Sequence, residues 1–564
     1  MTNESTTDIR ARVLGTEDAS PLSFWVALPK DKYLQLDDVV ALERHLPGEA
    51  EPVSLYGIVT QVIARHEGAR FDSDVYLIEE GVLPAEVTEV AEVLTTRIEP
   101  ELFVPPRPGE AVRLAVGDDR DQALFFDGME ERLIAGSSRD GQPVFVNLEF
   151  LDGRRGAHVN ISGVSGVATK TTYATFLLYS LFNDALGAEA MNSKAIIFNV
   201  KGEDLLFLDQ PNSRLDANEE ARYSEIGLMP GAFGSVEFWA PPRPGHPDAA
   251  PDVSSRDKEI GSFFWTLSAF CEDQLLPFLF ADAGDDRQQY TIVVHNVAAQ
   301  LRERANPQVG GGVSIDGREF RTFDQLIEFI HQRLEDDNTR QTWAGQSIGQ
   351  GTINAFIRRL HSARRHIGHL IRGDIPHPEN HRIERQSQVT VIDIHNLHDR
   401  AKRFVVGVTL QRAFEEKERT GQARPLLFVV LDELNKYAPR EGSSPIKEIL
   451  LDVAERGRSL GIILLGAQQT ASEVERRVIA NSAIRVVGRL DSAEAQRSEY
   501  GFLPPTHRQR ATIAKPGTMI LSQPELPIPL VIGFPFPAWA TRPSEVAPRS
   551  PAADSDPFEG LEDA

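Results

Sequence analysis

The run Ala157-His-Val-Asn-Ile-Ser-Gly-Val-Ser-Gly-Val-Ala-Thr-Lys-Thr-Thr-Tyr173 constrains the fold of this chain more than any other stretch. An apolar strand enters a small glycine-containing turn that closes on Lys170-Thr171. Tyr173-Ala-Thr-Phe-Leu-Leu-Tyr-Ser-Leu-Phe-Asn-Asp-Ala-Leu186 follows with apolar residues at helical spacing. A turn that opens a helix in this way faces its first amides toward an anion. In a phosphate-binding loop, backbone N–H groups cradle the phosphates, a lysine reaches the outer ones and a hydroxyl holds Mg2+. Gly163, Gly166, Thr169, Lys170, Thr171 and Thr172 are the candidates for those contacts, with Thr171 as the hydroxyl toward the metal. The spacing departs from G-x-x-x-x-G-K-[ST], because Val164 and Thr169 stand where glycines belong and Gly163 falls one residue early. A threonine there crowds a backbone that must approach phosphate closely. An ordinary strand-turn-helix junction would place Lys and Thr in the same positions.

Far downstream, Arg424-Pro-Leu-Leu-Phe-Val-Val-Leu-Asp-Glu-Leu434 is a continuous apolar run ending in two carboxylates. Such a run reads as a strand buried on both faces, and its C-terminal end is where ligands bind in open α/β sheets. Asp432 could support Mg2+, and Glu433 could orient and deprotonate a water for attack on a γ-phosphate. The competing reading makes the pair a loop start or a helix cap.

The chain has 564 residues, enough for several domains with ample cores. Its formal charge of −24 argues against a wholesale nucleic-acid coat and leaves room for a local basic channel. The single cysteine, Cys271, excludes an intrachain disulfide and a multi-cysteine metal site. No apolar run reaches the ~18 residues of a membrane span, and Met1-Thr-Asn-Glu-Ser is not a basic start to a hydrophobic segment. These features predict a cytoplasmic protein without a membrane partner.

Five segments are expected. Residues 1–105 alternate short apolar strands with turns, as in Ser23-Phe-Trp-Val-Ala-Leu28 and Val53 to Ile63, and read as a small β-barrel. Residues 106–240 and 386–522 form the two parts of an α/β domain. Its buried runs are Ala195 to Val200, Val236 to Ala240, Val389 to Ile394, Leu426 to Leu431, Gly461 to Gly466 and Ile484 to Leu490, which imply a mostly parallel, helix-covered sheet. Between them, 241–385 changes to helical spacing and reads as a helical insertion. Residues 523–564 are an extended apolar segment followed by a Pro-, Ser- and acid-rich tail expected to be disordered.

One helix of the insertion is lopsided. Ile353, Phe356, Ile357, Leu360, Ile367, Leu370 and Ile371 form an apolar stripe, and Arg358, Arg359, Arg364, Arg365, His366 and Arg372 fill most of the rest. That face either contacts phosphates or pairs with acids such as Glu335, Asp336 and Asp337. Beyond the paired acids, Ala454-Glu-Arg-Gly-Arg-Ser-Leu-Gly461 leads into a strand ending at Gly466-Ala-Gln-Gln-Thr470. In a ring of subunits an arginine here could reach a neighbour's γ-phosphate, and Gln468 could sense it. In a monomer both would be ordinary surface or strand-end residues.

The chain resembles HerA-type ATPases of the HerA–FtsK group, hexameric DNA translocases. The likeness is carried by the N-terminal barrel, the loop Gly163 to Thr171, the strand end Asn199-Val-Lys-Gly-Glu-Asp204, the pair Asp432-Glu433, the segment Ala454 to Gly461 and Gln468. It implies a RecA-like P-loop ATPase sheet, ATP and Mg2+ as cofactors, and Lys170, Glu433, Arg458 and Gln468 as catalytic residues. Arg458 would act in trans, with Arg456 as second choice, and Arg154 or Arg155 would assist nucleotide binding. The family usually carries an acid where Asn199 or Lys201 falls. The resemblance also implies a homo-hexamer on DNA. Its partner would be either a NurA-type nuclease, for end resection in double-strand break repair, or an antiphage effector enzyme for which the ring is a nucleotide-binding scaffold with weak ATPase.

Overall fold

The structure, a computed structural model, describes residues 11–67, 69, 71–164, 170–280 and 288–546. Two compact units divide the chain, one drawn from Met1–Leu148 with Ile484–Gly533, the other from Glu149–Ala483 with Phe534–Ala564.

The first unit begins with a closed barrel. Its strands are β1 (Ala11–Val13), β2 (Ser23–Ala27), β3 (Val39–Arg44), β4 (Val53–Glu67), β5 (Glu86–Glu99) and β6 (Ala111–Leu114), in the order β1-β2-β5-β4-β3-β6. Inward positions alternate with outward ones, and Val26, Leu42, Leu55, Val93 and Val112 fill the interior. The sixth strand lies past residue 105, so the Pro-rich boundary read from the sequence falls inside the barrel's own connection. A short helix α1 (Asp74–Glu79) joins β4 to β5, and α2 (Asp118–Ala123) follows β6. The antiparallel pair β7 (Arg132–Ser137) and β8 (Pro143–Asn147) completes this stretch.

The second unit begins with β9 (Val159–Ser162), β10 (Lys194–Asn199), β11 (Val236–Ala240) and β12 (Ile260–Ser262). Helices α3 (Lys170–Ser180) and α4 (Ala217–Glu225) belong to its first part. An insertion follows, with α5 (Leu267–Glu272), α6 (Gln288–Arg304), α7 (Phe323–Glu335), α8 (Asp337–Ala344) and α9 (Gln350–Ile367). It also contains strands too short to show a period of two: β13 (Trp265–Thr266), β14 (Ala305–Pro307), β15 (Val313–Ile315), β16 (Arg318–Phe320) and β17 (Ile371–Arg372). The α9 stripe is buried as expected, and Arg364 meets acids other than those read from the sequence. Arg364 pairs with Asp324 and Glu328 of α7, which lie four residues apart on one helix face. Glu335 goes instead to His331, Asp337 to Arg340, and Asp336 caps α8.

The sheet then resumes with β18 (Val389–Asp393), helix α10 (Asp399–Thr420), β19 (Leu427–Leu431), α11 (Leu434–Tyr437), α12 (Pro445–Leu460) and β20 (Ile462–Gln468). Within this unit the strand order is β12-β11-β18-β10-β19-β20-β9, and the pairs are parallel. Parallel strands covered by helices on both faces have no polar side, so β18, β19 and β20 are buried at every position. β20 lies between β9 and β19, the strand order of a RecA-like α/β sheet. Every strand runs the same way, so Ser162, Asn199, Asp393, Leu431 and Gln468 all end at one edge. The first unit closes with β21 (Ile484–Val487), β22 (Thr518–Ser522) and β23 (Leu530–Gly533), paired antiparallel in sequence.

Helix α3 is buried from Tyr173 to Ser180 because the C-terminal segment folds back over it. Tyr173 packs on Phe534 at 5.2 Å and Tyr179 stacks on Trp539 at 4.9 Å between ring centres. No helix of the described residues is long and apolar enough to cross a membrane.

Candidate nucleotide site

The chain order separates Lys170-Thr171 from Asp432-Glu433, and the sheet brings them together. The Thr171 hydroxyl donates to Asp432 Oδ2 at 3.0 Å. Lys170, buried, donates from Nζ to the Gly163 carbonyl at 2.7 Å. Burial holds the Lys170 ammonium below the ordinary lysine range; Asp432 opposes that shift and the Lys201 ammonium adds to it. Gly166 and Thr169 lie outside the described residues. Thr172 follows on α3, and its carbonyl accepts from Thr175 Oγ1 at 2.9 Å.

Glu433 sits in the left-handed backbone region, at φ 57° and ψ 41°. A non-glycine residue held there costs about 1–3 kcal/mol, and such strain gathers at functional sites. Part of that cost is offset locally, since the Glu433 amide donates to Asp432 Oδ1 at 2.7 Å. The turn points the Glu433 carboxylate toward Lys436 Nζ at 2.8 Å and Lys201 Nζ at 3.8 Å. Lys436 in turn is held above the usual lysine range, first by its hydrogen bond to Glu433.

Lys201, marked in the sequence only as a strand-end position where the resemblance leads one to expect an acid, is a member of this site. Its Nζ lies 2.8 Å from Asp432 Oδ2. The register Phe198↔Leu431 between β10 and β19 sets Asn199 beside Asp432 and brings the following turn within reach. Asn199 fixes that turn, donating from Nδ2 to the Gly202 carbonyl and to Asp393 Oδ1, each at 2.8 Å. Asp393 is buried and its carboxyl is held above the usual range by desolvation, with His395 Nδ1 at 2.8 Å from Oδ2 working against that shift.

Gln468 is fully buried at the end of β20. Its Nε2 donates to Asn160 Oδ1 at 2.9 Å and to Ser162 Oγ at 2.8 Å, which engages both N–H groups within β9. A phosphate contact by this amide would require one of those partners to release it. Upstream, His158 Nδ1 accepts from the Leu464 amide at 2.9 Å and ties the entry of β9 to β20.

Arg458 is not brought to these groups. It lies on the last turn of α12, donating from Nε to the Gly153 carbonyl at 3.0 Å and from Nη2 to the Arg154 carbonyl. That is the edge where β20 and β9 begin, opposite to the edge where they end at Gln468 and Ser162. The two glycines around it have packing reasons. A Cβ on Gly457 would meet the Ile462 carbonyl at 2.8 Å, and Gly461, at φ +69°, leaves 1.7 Å between a Cβ and the Ala423 carbonyl. Arg456 pairs with Glu418, and Arg154 and Arg155 pair with Asp152 and Glu149.

The donor set fits a nucleotide-bound Mg2+. Magnesium takes hard oxygen ligands and is commonly held by one or two protein oxygens plus phosphates. One hydroxyl donating to a buried carboxylate at 3.0 Å, with a second carboxylate adjacent, is that kind of set. Among the described residues no cluster of three or more His, Cys, Asp or Glu could hold a metal alone. The bound ion would supply charge neutralisation at the phosphates. The chain's own groups beside that set are the Lys170 ammonium and the Glu433 carboxylate.

Fold and site together define a RecA-like α/β protein with a lysine and a hydroxyl facing paired acids. No protein-family model matches the sequence, and no curated protein matches it. Among solved structures, VirB4 of Thermoanaerobacter pseudethanolicus is similar at 17% identity and a TM-score of 0.44, covering 72% of this chain and 96% of that one. The plasmid coupling protein TrwB in complex with ADP and Mg2+ is similar at 10% identity and 0.42, covering 73% and 90%. The genome packaging NTPase B204 of Sulfolobus turreted icosahedral virus 2 in complex with ATP-gammaS is similar at 10% identity and 0.20, covering 26% and 68%.

Proposed function

We propose that the chain is an ATPase subunit of a ring that moves DNA. The observation that carries this reading is the meeting of Thr171 with Asp432 at 3.0 Å, beside Lys170 and Glu433, at the strand ends of a parallel sheet. In this reading Lys170 contacts the outer phosphates, assisted by backbone and side chains from Gly163 to Thr172. Thr171 and Asp432 hold Mg2+, Glu433 activates water, and Gln468 senses the γ-phosphate. Arg458 completes the site of a neighbouring copy. DNA as the moved polymer, a hexameric ring, a partner nuclease and a part in end resection and double-strand break repair in the cytoplasm rest on the resemblance carried by the sequence motifs.

Steady-state ATP turnover with and without double-stranded DNA tests the motor. DNA should raise turnover several-fold, and Lys170→Ala should remove it in both conditions. Turnover that ignores DNA would sink the translocase reading while leaving the ATPase.

A second reading is a nucleotide-binding scaffold for an antiphage effector, with weak or partner-dependent hydrolysis. The ion pair of Lys201 on Asp432 favours it, since that carboxylate is already neutralised. Tight nucleotide binding with background turnover, DNA present or absent, would select the scaffold.

A further inference from the structure

Both oxygens of Asp432 accept hydrogen bonds from the chain itself. Its Oδ2 accepts from Thr171 Oγ1 at 3.0 Å and from Lys201 Nζ at 2.8 Å, and its Oδ1 accepts from the Glu433 amide at 2.7 Å. The carboxylate is 3% exposed and fixed at the end of a central strand, whereas the Lys201 side chain is 41% exposed. One partner is locked and the other can withdraw into solvent on a flexible four-carbon stem. This is unlike a surface ion pair, which adds little, because one end is a desolvated charge that would otherwise stand uncompensated.

The charges make the same point. Three ammonium groups, of Lys170, Lys201 and Lys436, surround the two carboxylates of Asp432 and Glu433, with Lys436 on the far oxygen of Glu433. A divalent ion held by the Thr171 hydroxyl would enter a cluster in which cations already outnumber anions and would repel the ammonium sharing Oδ2. The backbone of Lys201 cannot drift away to relieve this, because Asn199 pins its turn through Gly202 and Asp393. Only the side chain can move.

We propose that Lys201 is a built-in competitor of the metal ion: it neutralises Asp432 in the nucleotide-free chain and must leave that carboxylate for Mg2+ to load. The proposal rests on the nucleotide reading above and adds a regulator to it. The site then charges only when Mg2+ and nucleotide arrive together, since the phosphates give the displaced ammonium a new anion. It keeps the paired acids from collecting stray divalent ions between turnovers.

The test reads binding rather than turnover. Fluorescent ATP-gammaS binding to the full-length protein is titrated with Mg2+, and Mn2+ binding is followed by electron paramagnetic resonance with and without nucleotide. Lys201→Met should lower the half-saturating Mg2+ concentration about tenfold, the scale of removing one close, partly screened charge. It should also let Mn2+ bind without nucleotide. Lys201→Gln serves as a second neutral variant with the same expectation should Lys201→Met fail to fold. Lys201→Arg, which keeps the charge, should show the wild-type threshold or a higher one. An unchanged or raised threshold in the neutral variants, or a lowered one in Lys201→Arg, overturns the competitor role. Wild-type protein that binds no nucleotide at saturating Mg2+ overturns the nucleotide reading, and this proposal with it. Binding by wild type with the neutral variants unmoved overturns the role of Lys201 alone.

Discussion

At the scale of single residues, Glu433 is held by two constraints of opposite kind. Its backbone is strained into the left-handed region, and its carboxylate is tethered by Lys436 at 2.8 Å. The strain aims the side chain past the end of β19, and the tether fixes where its carboxylate sits. Glu433→Gln removes the proton acceptor while leaving Lys170, Thr171 and Asp432 in place. ATP turnover should fall by about 10²–10⁴-fold, the usual worth of a positioned base. Nucleotide affinity, measured by equilibrium binding, should stay within a few-fold of wild type. A variant that loses binding as well would show that Glu433 holds the site together instead. The lysine and the hydroxyl were legible because they open a helix after a glycine-containing turn, and the paired acids because they end an apolar run. Lys201 was visible only as a departure at a strand end, because its place beside Asp432 depends on β10 lying next to β19, and sequence spacing carries no strand order. The hold of Asn160 and Ser162 on Gln468 was hidden for the same reason, since it depends on β9 pairing with β20.

At the scale of elements, continuous apolar runs announced β10, β11, β18, β19 and β20, because strands buried on both faces have no polar alternation to blur them. The insertion was legible as helices from its 3.6-residue period, and its two- and three-residue strands fell below any periodic signal. The strand at Ile484 does join the large sheet, and on its β22 side the pairing is antiparallel, which the apolar run by itself does not reveal. What joins β9 to β20 at their starts is His158, buried, with φ 65° and its Nδ1 accepting from Leu464. Burial pushes its imidazole down to about 4. The unfolded chain takes up that proton near pH 6.5, so between about pH 6.5 and pH 4 the unfolded state holds more protons and stability rises with pH. The loss on acidification through this window should reach about 3 kcal/mol by pH 4. His158→Asn keeps a hydrogen-bond acceptor and tolerates positive φ, but has nothing to protonate. Denaturation midpoints across the window should fall more steeply for wild type than for His158→Asn; parallel curves would mean that the imidazole is not the group titrating.

At the scale of the whole molecule, one chain cannot complete the site proposed for it. Arg458 is exposed at the edge where β20 begins, and Lys170, Asp432 and Glu433 gather where the parallel strands end. The length of β20, Ile462 to Gln468, separates the two edges by roughly 20 Å. An arginine held to the Gly153 and Arg154 carbonyls at one edge cannot reach a phosphate at the other edge of its own subunit. A head-to-tail assembly, in which one face of each copy meets the opposite face of the next, is the arrangement that would use both edges. Arg458→Ala and Glu433→Gln subunits should each be inactive alone. Mixed in equal amounts and allowed to reassemble, they should regain activity, because some interfaces then join an intact Glu433 from one copy to an intact Arg458 from the next. Random mixing makes roughly a quarter of the sites whole, so turnover near a quarter of wild type is the expected recovery. No recovery, with exchange of subunits shown by a labelled chain, would place the completing arginine elsewhere and remove the reason for a ring.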